Sequence, residues 1–258
     1  MLSKKKQKKF LLNKCVNIIY YMNAFCQRKN AEDLHQMRVE IKKLNAFIFF
    51  LKKQFGSNFY ANILSPVKNI FKEAGVIRTA QVNLELAKKI DLKNPNVIND
   101  LIKRIDTGSL EFCMNRLEAS KMMQRFVLQM LPSLKEIRTS RIKKFFRKEI
   151  EKSNPQLLGK LSTKEWHHLR KKIKILLYVH QFLNEDIQMK IKLNRSYLNN
   201  LQESIGMLHD VEIVSGLIDR NERAGKALVK KLGGEMALQE RCLHEEIQNY
   251  NSKVFSRG

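Results

Sequence analysis

The segment LHQMRVEIKKL at residues 34–44 is matched by WHHLRKKIKIL at residues 166–176. At a shift of 132 positions His35 falls on His167, Arg38 on Arg170 and Lys42 on Lys174. The apolar positions travel with them, Leu34 to Trp166, Met37 to Leu169 and Ile41 to Ile173. A second pair of blocks follows in the same order, KNIFKEAGVIRTAQV at 68–82 and NNLQESIGMLHDVEI at 199–213, at a shift of 131. There Gly75 meets Gly206, Arg78 meets His209 and Val82 meets Ile213. Two matched blocks in one order at nearly one separation describe a chain of two related halves, the first ending near residue 130.

Within each half the apolar period is helical. Leu34, Met37, Ile41, Leu44, Ile48 and Leu51 recur at steps of three and four, one continuous stripe on a helix. No run of alternating apolar residues predicts a sheet, and Gly and Pro are scarce, 10 and 4 in 258 residues. The expected fold class is all-α, with helices near 8–28, 33–54, 57–73, 77–90, 95–130, 133–152, 162–184, 188–205, 207–220 and 222–252. Asp33 is a candidate N-cap and Gly56 a candidate stop. Breaks are expected at Ser65-Pro66, Gly75, Asn94-Pro95, Ser153-Asn154-Pro155 and Gly233-Gly234, with a weak point at Gly108.

Charge narrows the function. Lys and Arg number 49 against 25 Asp and Glu, so the chain carries +24. Self-repulsion of that size opposes compactness, and a polyanion would relieve it. Nucleic acid, an anionic membrane surface and a polyphosphate are the candidates. The four cysteines, 15, 26, 113 and 242, form no CxxC and no zinc-spaced cluster with histidine, which suggests buried thiols in a reducing compartment. The N-terminus begins with a basic tip that is expected to fray. Asn13, Lys14, Asn17 and Asn23 interrupt its apolar run, so an amphipathic helix fits better than a signal peptide. No apolar stretch reaches membrane-spanning length, and a soluble cytoplasmic protein is expected.

On a helix, residues 35, 38 and 42 stack one above another over two turns, roughly 10 Å of rise. The apolar stripe runs beside this row, so the cations stand at the shoulder of the core. Arg presents a planar fork of donors to phosphate oxygens, Lys a compact charge, and His two donors once protonated. A single row of this kind is usually a solvated face. A solvated face has no reason to repeat both its spacing and its flanking pattern, as His167, Arg170 and Lys174 do, with Lys171 extending the row.

These four blocks together resemble the CHAD family, named for a conserved-histidine α-helical domain. In that family each half carries a His-x-x-Arg helix with further basic residues, followed by a turn of Leu-Gly-x-x-Arg-Asp or Leu-Gly-x-x-x-Asp type. The resemblance spans residues 8–252, with halves of about 8–130 and 133–252 and a basic tip at 1–7. It implies two four-helix-bundle-like halves related by a pseudo-twofold, and non-catalytic binding of inorganic polyphosphate in a basic central groove, with no cofactor and no metal. Carried over by motif, the binding residues are His35, Arg38, Lys42, Lys43 and Arg78 in the first half, and His167, Arg170, Lys171 and Lys174 in the second. Lys68 and Lys72 join the set from the segment entering the first Gly block. Arg141 and Lys144, in RTSRIKKFFRK, either form a rim or face solvent.

The sequence departs from that pattern in places. Thr79 stands where Asp is usual, whereas Asp210 keeps the carboxylate as a structural cap or a cation's partner. Lys42-Lys43 replace a frequent Arg-Arg, which keeps charge and loses bidentate geometry. His168 and His209 have no assigned role, and Trp166 reads as core. The alternative is a basic helical protein binding nucleic acid non-specifically, against which stand the lack of a helix-turn-helix signature and few exposed-looking aromatics. A phosphate-processing enzyme fits less well, because no clustered acidic motif and no GxxxxGK[ST] loop occurs. Membrane attachment is not expected. Polyphosphate granules are one place where such a protein would gather.

Overall fold

Ser3 opens the first helix by accepting the Lys6 N–H on its hydroxyl. The computed structural model describes residues 1–56, 63–92, 94–154, 161–218 and 223–255, with Pro66 and residues 223–229 described by backbone alone. Helix α1 (Lys4–Arg28) ends where Lys29 turns left-handed, φ 53°. Asn30 then caps α2 (Ala31–Phe55), accepting from Glu32 N–H, and Gly56 stops it at φ 69°. A two-residue link therefore folds α2 back onto α1. The remaining helices are α3 (Ser65–Lys89), α4 (Pro95–Met114), α5 (Arg116–Met130), α6 (Thr139–Glu151), α7 (Thr163–Phe182), α8 (Glu185–Ile191), α9 (Arg195–Leu217), α10 (Arg223–Glu246) and α11 (Tyr250–Lys253). Among the described residues the only β-type pairings are two isolated bridges, Leu2 with Ile137 and Leu193 with Phe255. The all-α expectation holds.

Several boundaries differ from the sequence reading. Gly75 breaks nothing: α3 runs through it, and residues 57–62 of the helix expected at 57–73 lie outside the described residues. Gly206 likewise lies inside α9, and the real break falls at residues 192–194, where Lys192 has φ 55°. Gly233-Gly234 continue α10. The helix expected over 95–130 divides at Asn115. Asp33 is not a cap but sits buried in the first turn of α2, gripped by Arg28 Nε and Nη2 at 3.1 and 2.8 Å. The basic tip is anchored rather than frayed: Leu2 is fully buried and exchanges backbone hydrogen bonds with Ile137, and Gln7 donates to the Lys135 carbonyl at 2.7 Å.

The described chain forms two compact units. The first comprises Met1–Leu84, Asn94–Phe145 and Phe182–Asn184. Its core is the stripe of α2 against Leu11, Ile18, Met22 and Phe25 of α1, all essentially inaccessible. Each such side chain contributes about 1.5–3 kcal/mol on burial. Phe10, Phe47 and Phe182 form a ring cluster with centroids 4.6–5.2 Å apart. Cys26, at the end of α1, is disulfide-bonded to Cys113, at the end of α4, with Cα atoms 5.3 Å apart. Spacing alone could not reveal this pair, and it corrects the expectation of four reduced thiols. Cys15 is a buried free thiol, pushed up to about 12 by burial, and Cys242 is exposed.

The second unit comprises Glu85–Lys93, Phe146–Gln181 and Glu185–Gly258. Trp166, Leu169 and Ile173 of α7 are buried, as are Leu198, Leu201, Ile205 and Leu208 of α9, so Trp166 is core as expected. A satellite cluster joins Val214, Ile218 and Leu232 to Leu86 and Ile90. Among the described residues no helix is long and apolar enough to cross a membrane.

Candidate functional site

The two matched glycines turn out to be seats for the two matched arginines. In the first unit Arg38 of α2 donates from Nη1 to the Phe71 carbonyl at 2.7 Å, and its guanidinium carbon lies 4.0 Å from the Phe71 ring centroid. Phe71 is one helical turn before Gly75. A Cβ at Gly75 would stand 2.9 Å from Arg38 Nη1, a separation side chains do not tolerate. In the second unit Arg170 Nε donates to the Gln202 carbonyl at 2.9 Å, one turn before Gly206. A Cβ there would again stand 2.9 Å from the guanidinium. The family-type Gly motif is therefore not a turn in this chain. It is a bare patch on a helix that admits an arginine against the backbone.

Seating the guanidiniums brings like charges together. Arg38 is held below its ordinary value, first by burial and then by Arg78, which is half-buried on the following turn of α3. Lys174 is lowered by burial and then by Arg170, with Glu203 opposing. His167 is lowered by burial, then by Lys171, His209 and Arg170, with Glu212 opposing. Each of these groups would gain if an anion settled beside it, since an opposite charge restores the charged form.

The other expected residues divide. His35 and Lys42 are half-buried on α2 in the same row as Arg38. Lys43 points its charge elsewhere: its Nζ lies 2.6 Å from Glu40, which also takes Lys14 at 2.6 Å and Asn17 at 3.0 Å. Glu40 is only 4% exposed. Burial alone would raise its carboxyl, but the three hydrogen bonds hold it below the ordinary value. Lys68 and Lys72 are exposed on α3 and, among the described residues, make no side-chain hydrogen bond or ion pair. Lys171 is exposed on α7. Arg141 donates to the Gln54 carbonyl and lies over the Phe55 ring at 5.6 Å, whereas Lys144 faces solvent. Asp210, expected as a cap or a cation's partner, sits exposed in the middle of α9, where it caps nothing.

Sequence reasoning gave no role to His168 and His209, yet both line a cavity of about 330 Å³ with His167, Lys164, Lys171 and Glu212. The His167 and His209 rings are 5.0 Å apart, and His209 Nδ1 lies 3.3 Å from Glu212. The signal was available, since His209 occupies the repeat position of Arg78. A smaller cavity, about 160 Å³, adjoins Lys174 and was not foreseen.

Comparison with known proteins gives a family and a fold. The model of the CHAD domain matches residues 12–219. Among solved structures, the CHAD domain from the plant Ricinus communis gives a TM-score of 0.67 at 15% identity, covering 96% of this chain and 92% of that one, a likeness of fold. No curated protein matches the sequence. With helical halves that repeat one arginine–glycine seating, and a family match across most of its length, the chain belongs to the CHAD domain family.

Proposed function

We propose that this protein binds inorganic polyphosphate through its two basic rows and does no chemistry on it. The observation that carries the reading is the seating of Arg38 and Arg170: each guanidinium is fixed on a backbone carbonyl amid like charges that an anion would relieve. A fixed fork loses little freedom on binding phosphate, and its remaining donors match phosphate oxygens. His35 and Lys42 extend the first row; His167, Lys171 and Lys174 extend the second. Arg78 adds charge beside Arg38. Lys68 and Lys72 are peripheral, and Lys43 supports the fold through Glu40. Membership of the CHAD family supports polyphosphate as the ligand class. A cytoplasmic location, with gathering at polyphosphate granules, follows from this reading. The Cys26–Cys113 bond pulls the other way, because such bonds persist in oxidising compartments.

Duplex DNA is the competitor that decides between ligand and mere charge. Labelled long-chain polyphosphate is bound to the protein and challenged with DNA at equal phosphate concentration. Most of the polyphosphate should stay bound, because the half-buried rows suit a thin flexible chain better than a duplex. Displacement in proportion to phosphate concentration would mean that the +24 charge acts diffusely, and would favour non-specific nucleic-acid binding.

A further inference from the structure

The two sulfurs of the Cys26–Cys113 bond stand in different surroundings. Cys26 is half-buried, whereas Cys113 is only 7% exposed. Each lies in the last turn of its helix, where the negative end of the backbone dipole disfavours a thiolate. Cys113 has two cations set against that end. Lys29, the left-handed residue that ends α1, places its Nζ 3.1 Å from Cys113 Sγ and 3.4 Å from the Ser109 carbonyl. Arg116 Nη1 donates to the Cys113 carbonyl at 3.0 Å. Among the described residues no side chain hydrogen-bonds to Cys26 Sγ, and Arg28, two residues on, is engaged by Asp33 at 2.8 Å. When a thiol exchanges with a disulfide, the attacked sulfur keeps the incoming group and the other departs as a thiolate. Departure is faster the lower the leaving thiol's pKa, and a neighbouring lysine lowers it.

We propose that Cys26 is a thiolation site for small thiols, with Cys113 as its leaving group and Lys29 stabilising the sulfur that departs. The incoming thiolate attacks Cys26 Sγ and forms a new sulfur–sulfur bond there. The Cys26–Cys113 bond breaks, and its electron pair leaves on Cys113 Sγ beside the Lys29 ammonium. The small thiol is oxidised to the mixed disulfide as Cys113 is reduced, so no further oxidant is needed. In the reverse step Cys113 attacks Cys26, expels the small thiolate and closes the bond again. Cys15 does not compete, being a buried thiol pushed up to about 12. In a thiol-rich compartment such a bond is transient, and in an oxidising one it stays closed.

The test uses the full chain with Cys242→Ser, so that the exposed free thiol takes no part. Reduced glutathione is the probe. Exchange is stopped with acid at short times, free thiols are alkylated, and the peptides are read by mass spectrometry. The glutathionyl group should sit on Cys26 and the alkyl group on Cys113. Glutathione on Cys113, an equal division between the two, or a chain that lacks the bond at the outset would overturn the proposal whatever any further variant does. Lys29→Met keeps the length of the side chain and removes its charge. It should slow opening of the bond about fivefold, the effect of a leaving thiol of higher pKa. Lys52→Met, at an exposed lysine in the last turn of α2, removes the same charge elsewhere and should change the rate by less than about twofold. Loss of structure would expose the bond and speed its opening, so a slower rate does not arise from a poorly folded variant. An unchanged or faster rate in Lys29→Met would overturn the proposal.

Discussion

A glycine in the middle of a helix is disfavoured by about 1 kcal/mol against alanine, so two of them at matched positions call for a reason. Here the reason is an arginine. Gly75→Ala and Gly206→Ala should push Arg38 and Arg170 off their carbonyl seats, because the clashing atoms are the far ends of long side chains that can swing away. The fold should survive, with gained helix propensity offsetting the lost hydrogen bond, while polyphosphate affinity drops about tenfold for the pair. Unchanged affinity in the folded double variant would show that the seating is structural only. Lys43 and Lys42 should behave oppositely. Lys43→Ala removes a partner of the buried Glu40 carboxylate and should destabilise the protein by roughly 1–3 kcal/mol in urea titrations. Lys42→Ala should weaken polyphosphate binding. The neighbours look equivalent in the sequence, and only the packing of α1 against α2, which brings Lys14 and Asn17 to Glu40, separates them.

Histidine titration belongs to the same scale. His167 and His180 are both held below the ordinary imidazole value, His180 by burial and then by Arg195. A depressed folded value means the unfolded chain takes up the proton first. The contribution of these groups to stability is therefore full above about pH 6.5 and is lost as pH falls below it. The melting temperature of the free protein should fall between pH 7 and pH 5. Polyphosphate should reverse the effect at His167 by favouring its charged form, so binding should tighten over that window. This lies lower than the pH 8 to 6 range that unperturbed histidines would give. Calorimetry in two buffers of different ionisation enthalpy should show proton uptake on binding at pH 6. No uptake would place His167 away from the phosphates.

At the scale of elements, the disulfide is the least legible feature of the chain. It ties the end of α1 to the end of α4 across 87 residues of sequence. Closing so long a loop restricts the unfolded chain, and reduction should cost about 2–4 kcal/mol. Denaturant titration with and without reductant measures this; equal midpoints would mean the bond contributes nothing. Helix identity, by contrast, was legible, because the apolar stripe of α2 has the period of a helix whatever it packs against. Helix ends were less so. Gly75 and Gly206 carry the usual signal of a stop, yet at each the lost side chain admits an arginine from a neighbouring helix, and only tertiary structure shows that. Asn115 and residues 192–194 do break helices without a Gly or Pro to announce it. The charged rows were readable through the repeat.

For the whole molecule, charge sets the behaviour. With +24 on 258 residues the free chain repels itself, and each phosphate neutralised also releases a counterion. The logarithm of the polyphosphate binding constant should fall steeply and linearly with the logarithm of salt concentration, and ligand should raise the melting temperature. Salt dependence alone cannot tell a built site from a basic surface, since both release counterions. The measurement that can is binding of labelled long-chain polyphosphate to a variant carrying Arg38→Ala, Lys42→Ala, Arg170→Ala and Lys174→Ala, beside a control with four exposed lysines outside the rows, Lys5, Lys121, Lys143 and Lys190, changed to alanine. Both variants lose the same formal charge. The row variant, still helical by circular dichroism, should lose at least about a hundredfold in affinity, and the control less than about tenfold. Equal losses in the two would contradict the account, because polyphosphate would then be reading net charge and not the seated arginines.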